Sequence, residues 1–294
     1  MKKVLITGIT GNVGREIAHS LKGKYSILGT TRNTVVESPF KTITCDLSNE
    51  SQVNQLLNDH SDIEYIIHCA ALAHNKGNDL SEKAFTKNNF IPTKNLTNAA
   101  NSLKHLKSFI YISSISVYGE QTNKTIYLES DECFPESPYA KTKLESEQYL
   151  NQNAKFHYTA LRLAPVYSET FLLNIDRRIR IRNVNYIVGN GKAKLSMCSM
   201  KTILKVINHE LEKKKVTNEI YNVADKVPLT YRFLKQTYGT KKVTIVIPRI
   251  IVTLMNKINK RTIQNQFVHE NTLKLIEDKI YPADKIFKEM DQVF

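Results

Sequence analysis

The sequence predicts an α/β protein, a doubly wound parallel sheet followed by a smaller C-terminal region. Three observations predict it. Over residues 1–168, short β-branched runs alternate with longer amphipathic stretches, the pattern of βαβ units with helices on both sheet faces. Glycine is scarce, ten in 294 residues, yet Gly8, Gly11 and Gly14 fall together directly after the first such run. The charge is unevenly divided: residues 1–169 hold 18 Lys+Arg against 17 Asp+Glu, net +1, whereas residues 170–294 hold 24 against 11, net +13.

In chain order, Val4–Thr7, Ser26–Thr30, Thr42–Thr44, Tyr65–His68, Ser108–Ser113 and His157–Arg162 read as strands, with helical patterns between most of them. From residue 169 to 294 the pattern loosens into a second domain. It opens with a basic stretch, Asp176–Arg182, in which the near-alternation of Arg178, Arg180 and Arg182 places them on one side of an extended segment. A turn at Gly189 and Gly191, a helix-like run over Met200–Lys214 and a strand at Glu219–Val223 follow. Residues 219–224 are expected to rejoin the first sheet. The apolar run Ile250–Met255, followed by Lys257, Lys260 and Arg261, is expected to pack as a helix in the second region; the rival is a helix lying on an acidic membrane.

A hydrophobic content of 41% fills an ordinary core, and no apolar run approaches the roughly 18 residues of a bilayer span. Lys2 and Lys3 precede only a short apolar run, so no secretory signal and a cytoplasmic location are expected. Four cysteines without a CxxC pair and eight histidines without an HxxxH pair predict neither a disulfide framework nor a metal site. The net charge of +14 suits an anionic ligand, nucleic acid or an acidic membrane face, or reflects a lysine-rich surface.

The glycine cluster carries the first chemistry. A strand-to-helix turn that lets backbone approach a pyrophosphate needs glycine, and the helix start aims free N–H groups at the phosphates. Gly8, Thr10, Gly11, Asn12, Val13 and Gly14 are therefore candidate dinucleotide-binding residues. At the end of the second strand, Gly29-Thr30-Thr31-Arg32-Asn33 lacks the acid that an NAD-preferring site places on the ribose. Arg32 instead suits a 2′-phosphate, with Thr31 and Asn33 adding hydrogen bonds, which points to NADP(H) with NAD(H) as the alternative. Asp46 and Leu47 close the third strand; Asp46 either accepts from an adenine amino group or, like Ser48, caps the next helix.

A Tyr-x-x-x-Lys pair sets both side chains on one helix face, where an ammonium lowers the phenol's pKa and readies it for proton exchange. The pattern occurs at Tyr139/Lys143, Tyr231/Lys235, Tyr238/Lys242 and Tyr281/Lys285. Gly239 and Pro282 interrupt two of these, and Tyr231 lies in the second region. Only Tyr139 follows a Ser-Pro turn into a long helical pattern, 25 residues after Ser113-Ser114 at the carboxyl end of a strand.

Together, GITGNVG (Gly8–Gly14), HCAA (His68–Ala71), Asn89 and Thr93 in NFIPT, SSISVYG (Ser113–Gly119) and SPYAKTK around Tyr139 resemble the extended short-chain dehydrogenase/reductases, the NAD(P)-dependent epimerase/dehydratase family of nucleotide-sugar enzymes. LRLAPVY (Leu161–Tyr167), EIYNVA (Glu219–Ala224) and YPADKIFKE (Tyr281–Glu289) extend the likeness along the chain, although Leu163 and Ser168 depart from the family's LRPxxVYG. The resemblance implies a Rossmann domain over 1–168 and a nucleotide-sugar-binding domain over 169–294. Ser114 would hydrogen-bond the sugar oxygen, Tyr139 would be the acid/base, and Lys143 would bond the nicotinamide ribose. Ser113 is the rival for the serine role. Ala70, Ala71 and Asn89 would serve the cofactor.

In the second region Asn174, Arg177, Arg178 and Lys194 are candidates for the nucleoside diphosphate, with one or two of the basic residues making contact and the rest solvated. The expected activity is NADPH-dependent reduction of a nucleotide-linked 4-keto sugar, UDP- or dTDP-linked, for surface polysaccharide synthesis. A nucleotide-sugar 4-epimerase is the alternative; a non-enzymatic module binding RNA or an acidic membrane is the rival from another class. The expected partner is the sugar nucleotide, without nucleic acid or a stable membrane anchor, and with a homodimer left open.

Overall fold

Each strand of the central sheet shows its apolar side chains alternately to two layers of helices, so both faces become core. The computed structural model describes residues 1–33, 38–72, 79, 81–181, 184–213, 217–240, 243–263 and 265–292. Among these, the strands β1 (Lys3–Thr7), β2 (Ser26–Thr31), β3 (Lys41–Thr44), β4 (Ile63–His68), β5 (Ser108–Ser114) and β6 (Tyr158–Leu163) join the strand Glu219–Val223 in one seven-stranded sheet. The order is Glu219–Val223, β6, β5, β4, β1, β2, β3, and every neighbouring pair is parallel. The sheet is doubly wound, as the alternation predicted.

On one face Val4, Ile6, Ile67, Ile110 and Leu161 pack with Ile17 and Leu21 of α1 (Asn12–Leu21), Val206 of the helix Met200–Glu212 and Ile286 of the helix Asp284–Asp291. On the other, Leu5, Ile66, Phe109 and Ala160 meet α2 (Glu50–Asp59) through Leu57. After the short α3 (Glu82–Phe85) they meet α4 (Ile91–Ala100) through Leu96 and α5 (Pro138–Asn153) through Leu150. The sheet order reverses between β1 and β4, so the ends of these two strands border the crevice where doubly wound sheets bind ligands.

The C-terminal region is built on smaller pieces. Thr244–Ile247 pairs with Val184–Val188, which pairs with Arg180–Ile181, and Lys194–Leu195 pairs with Leu229–Thr230. A separate cluster of Ile175, Ile179, Leu195, Met197, Tyr231 and Leu234 fills it. The rings of Tyr118, Tyr127 and Tyr281 pack together and tie the region to the first one, with Tyr127 and Tyr281 stacked at 5.0 Å.

One expectation is corrected here. The basic stretch is not one extended segment: Leu173–Ile179 is a helix that buries Ile175 and Ile179, four residues apart, and only Arg180 begins a strand. Arg182 lies outside the described residues. The expected helix forms as Arg249–Ile258 and packs in the second region, with most of its apolar run turned outward. It packs through Val252 and Asn256, leaving Ile250, Ile251, Leu254, Met255 and Ile258 exposed. Among the described residues no helix is long and apolar enough to cross a membrane.

Candidate active site

β1 stops at Thr7 because the next residue takes φ +64°, a conformation that Gly8 adopts without steric cost. A Cβ there would lie 2.8 Å from the Ala70 Cα, and one on Gly14 would lie 2.5 Å from the Gly8 carbonyl oxygen. The Gly11 N–H donates to the Gly8 carbonyl at 2.9 Å, and α1 then starts at Asn12 with no side-chain cap on its N-terminal N–H groups. This cradle, closed to any Cβ and lined by uncapped donors, fits a dinucleotide pyrophosphate. Thr10 and Gly11 are exposed on its rim, and Asn12 and Val13 are half-buried beneath it.

Beyond β2, exposed Arg32 reaches across to donate to the Asn88 carboxamide oxygen. Asp46 does not cap α2. Partial burial raises its pKa, but the Ser48 N–H and hydroxyl, both donating to Oδ1, hold the carboxyl below its ordinary value. The cap is Asn49, which accepts from the Gln52 N–H at 3.2 Å. The Leu47 side chain is buried, and its carbonyl accepts from Asn95 at 3.0 Å.

A buried polar chain joins the ends of β1 and β4. His68 lies between the hydroxyls of Thr7 at 2.7 Å and Thr93 at 3.1 Å, and burial pushes its imidazole down to about 3, so it is neutral. Thr93 donates to the Asn89 carbonyl, and the Thr7 hydroxyl accepts from the Ala70 N–H. Asn89 sits in a π-helical turn, Thr86–Phe90. Its carboxamide accepts from the Leu72 N–H at 2.6 Å and donates to the Leu72 carbonyl and the Thr142 hydroxyl. It thus fixes the loop after β4 to α5. Ala71 is exposed beside it.

The two serines at the end of β5 separate by function. Ser113 is buried and donates to Glu147, which holds Arg162 in a bidentate pair with Nη2 to Oε2 at 2.7 Å. Arg162 also covers the Tyr118 ring at 4.8 Å. Ser114 caps the 3₁₀ turn Ile115–Tyr118 and hydrogen-bonds the Tyr139 phenol. Ser137 caps α5 and Pro138 opens it, so Tyr139 and Lys143 fall one turn apart on the face toward β5. Lys143 Nζ donates to the Ile112 carbonyl at 2.7 Å and lies 5.8 Å from the Tyr139 ring centre.

The expected downward pull of the ammonium on the phenol is not what dominates. Burial pushes Tyr139 up to about 12, and the Ser114 hydrogen bond is the pull downward. Burial also pushes Lys143 down to about 8. The other Tyr/Lys pairs are built into the C-terminal packing. Tyr231 is buried and donates to the Lys274 carbonyl, Tyr281 stacks on Tyr127, and Tyr238 meets Tyr167 edge-on. Lys242 lies outside the described residues.

The basic residues of the C-terminal region scatter. Arg178 turns inward and donates to the Asn174 carbonyl of its own helix, and burial lowers its pKa. Arg180 is spent on Asp176 and the Tyr238 carbonyl. Asn174 donates to the Val166 carbonyl, whereas Arg177, Lys192 and Lys194 are exposed. Arg178 and Arg180 are thus engaged within the protein, whereas the remainder of the set was expected to be solvated. Sequence reasoning missed Glu147 and Arg162, although a Glu one turn beyond Lys143 on α5 was a signal for the first.

A glycine turn that fits a pyrophosphate and a Ser114/Tyr139/Lys143 set after β5 thus lie at the carboxyl ends of the strands of one doubly wound sheet. The chain belongs to the NAD dependent epimerase/dehydratase family, whose model matches residues 4–224, and it is an enzyme of that family. It is similar to the trifunctional UDP-glucose 4,6-dehydratase/UDP-4-keto-6-deoxy-D-glucose 3,5-epimerase/UDP-4-keto-L-rhamnose-reductase of Arabidopsis thaliana, 28% identical over 162 residues, 50% of this chain and 24% of that protein. The chain thus spans about a quarter of that relative's length. It is also similar to a UDP-glucose 4-epimerase of Vibrio cholerae, 27% identical over 235 residues, 76% of this chain and 71% of the relative. A crystal structure of the UDP-glucuronic acid 4-epimerase of Bacillus cereus with NAD shares the fold, with a TM-score of 0.68 and 24% identity over 84% of this chain and 87% of that one.

Proposed function

We propose that the protein is an NADPH-dependent reductase of a nucleotide-linked 4-keto sugar, UDP- or dTDP-linked, serving the synthesis of surface polysaccharide. The observation that carries this reading is exposed Arg32 at the end of β2, where an NAD-preferring site places an acid; Tyr139, hydrogen-bonded to Ser114, is placed to donate a proton. Exposed Arg32 in place of a ribose-binding acid supports NADPH over NADH, and an enzyme that exchanges NADPH freely performs net reduction. The Arabidopsis relative's name includes a UDP-4-keto-sugar reductase.

The bound cofactor would supply hydride to the sugar ketone. Tyr139 passes its phenolic proton to the oxygen that becomes the hydroxyl, and the Ser114 hydroxyl holds that oxygen in reach. Lys143, anchored on the Ile112 carbonyl, would bond the ribose of the bound cofactor. Arg177 and Lys194, the exposed members of the basic set, meet the substrate diphosphate.

A 4-epimerase is the second reading, favoured by the Vibrio cholerae relative and by the NAD in the Bacillus cereus structure. Deuterium labelling separates them. NADPH deuterated at C4 should leave its label on the sugar product in net reduction; unlabelled product with interconverted sugars would favour the epimerase.

A further inference from the structure

The helix Arg249–Ile258 is apolar on the wrong side. Ile250, Ile251, Leu254, Met255 and Ile258 fall on one face at helical spacing, and each is between 47% and 67% exposed. The inner face instead carries amides: Asn256 donates to the Thr272 hydroxyl at 2.7 Å, and buried Asn259, in the next turn, donates to the Asn265 carbonyl at 2.8 Å. Satisfied amides inside and aliphatic side chains outside fix the helix in this orientation. Ile245 and Val246 of the preceding strand and Ile263 beyond the helix are exposed as well. Contiguous apolar surface of this kind marks a face that something covers.

The charge around it names the occupant. Residues 226–269 contain nine Lys and Arg and no Asp or Glu. Lys257, Lys260 and Arg261 are exposed on the turns that flank Leu254 and Ile258. A second copy is a poor fit, because a two-fold interface would set this acid-free segment against itself. We propose that this face docks reversibly on an anionic lipid surface, its aliphatic side chains entering the boundary between headgroups and acyl chains while Lys257 and Arg261 meet lipid phosphates. Ten residues of helix are too short to span a bilayer, so the helix lies in the plane of the membrane. This docking is independent of the reductase reading and holds equally for an epimerase.

The test is co-sedimentation of the full chain with vesicles of phosphatidylcholine alone or of phosphatidylcholine with one-third phosphatidylglycerol. Binding to the anionic vesicles should be about tenfold tighter or more and should collapse in high salt. Ile251→Gln with Leu254→Gln should lower it at least tenfold at unchanged melting temperature and cofactor affinity. Lys257→Gln with Arg261→Gln, which leaves the apolar face whole, should lower binding to the anionic vesicles only. Equal binding to both vesicles, or unchanged binding in the glutamine variants, would overturn the proposal. So would a wild-type dimer that Leu254→Gln converts to monomer in a chain that ignores vesicles, since the occupant would then be a second copy.

Discussion

In the first 168 residues, Glu147, Arg162 and Lys143 are buried with partners from three elements, whereas the C-terminal region turns most of its basic residues and one apolar helix face to the surface. The difference follows from the sheets. A seven-stranded sheet covered on both faces takes charged groups out of water only where they are paired, as Glu147 and Arg162 are beside Ser113 at the end of β5. Two- and three-stranded sheets cover far less, so the C-terminal region keeps its charge solvated and available to anions.

The comparison can be broken at several points. Tyr139→Phe should lower turnover by about 10² or more while sparing cofactor affinity, because it removes the donated proton and keeps the ring. Tyr231→Phe, Tyr238→Phe and Tyr281→Phe in the C-terminal packing should leave turnover within about threefold; steady-state kinetics on all four would expose a misplaced site. Glu147→Ala strands Arg162 and Ser113 in the core and should cost about 3–5 kcal/mol in denaturant unfolding, more than any single charge removal at exposed Arg177 or Lys194.

Lys143 sharpens the comparison through pH. Burial holds its ammonium at about 8 against an ordinary 10.5, so between those values the unfolded chain keeps a proton that the folded chain has released. Stability should therefore rise with pH through that window, by up to roughly 3 kcal/mol relative to Lys143→Met; parallel unfolding curves for the two proteins from pH 7 to 11 would contradict it. The smallest effect is expected at Arg32. NADPH should bind more tightly than NADH, and Arg32→Ala should narrow the gap by about 1.5–3 kcal/mol in titrations of both cofactors.

Much of the first region was legible because β-branched alternation and a glycine turn are local signals. Val4–Thr7, Ser26–Thr30 and Tyr65–His68 fall within β1, β2 and β4, and Gly8 takes the positive φ that the turn requires. What was hidden depends on partners distant in sequence. Glu147 and Arg162 meet only once α5 crosses β6, and the π-helical turn that places Asn89 has no residue signature of its own. In the C-terminal region, the spacing of the arginines fits a strand as well as a helix, and Ile175 and Ile179 decide for the helix once they find a core. The run Ile250–Met255 shows that apolar periodicity identifies a face without saying which way it points; Asn256 and Asn259 settle that by hydrogen bonds no pattern reveals.

Net reduction with Tyr139 as the proton donor is tested most directly by following NADPH absorbance with a UDP- or dTDP-linked 4-keto sugar. One NADPH consumed per sugar reduced, with Tyr139→Phe slowed by about 10² or more, is the predicted result. Interconversion of 4-hydroxy sugar nucleotides with no net consumption of cofactor would contradict it.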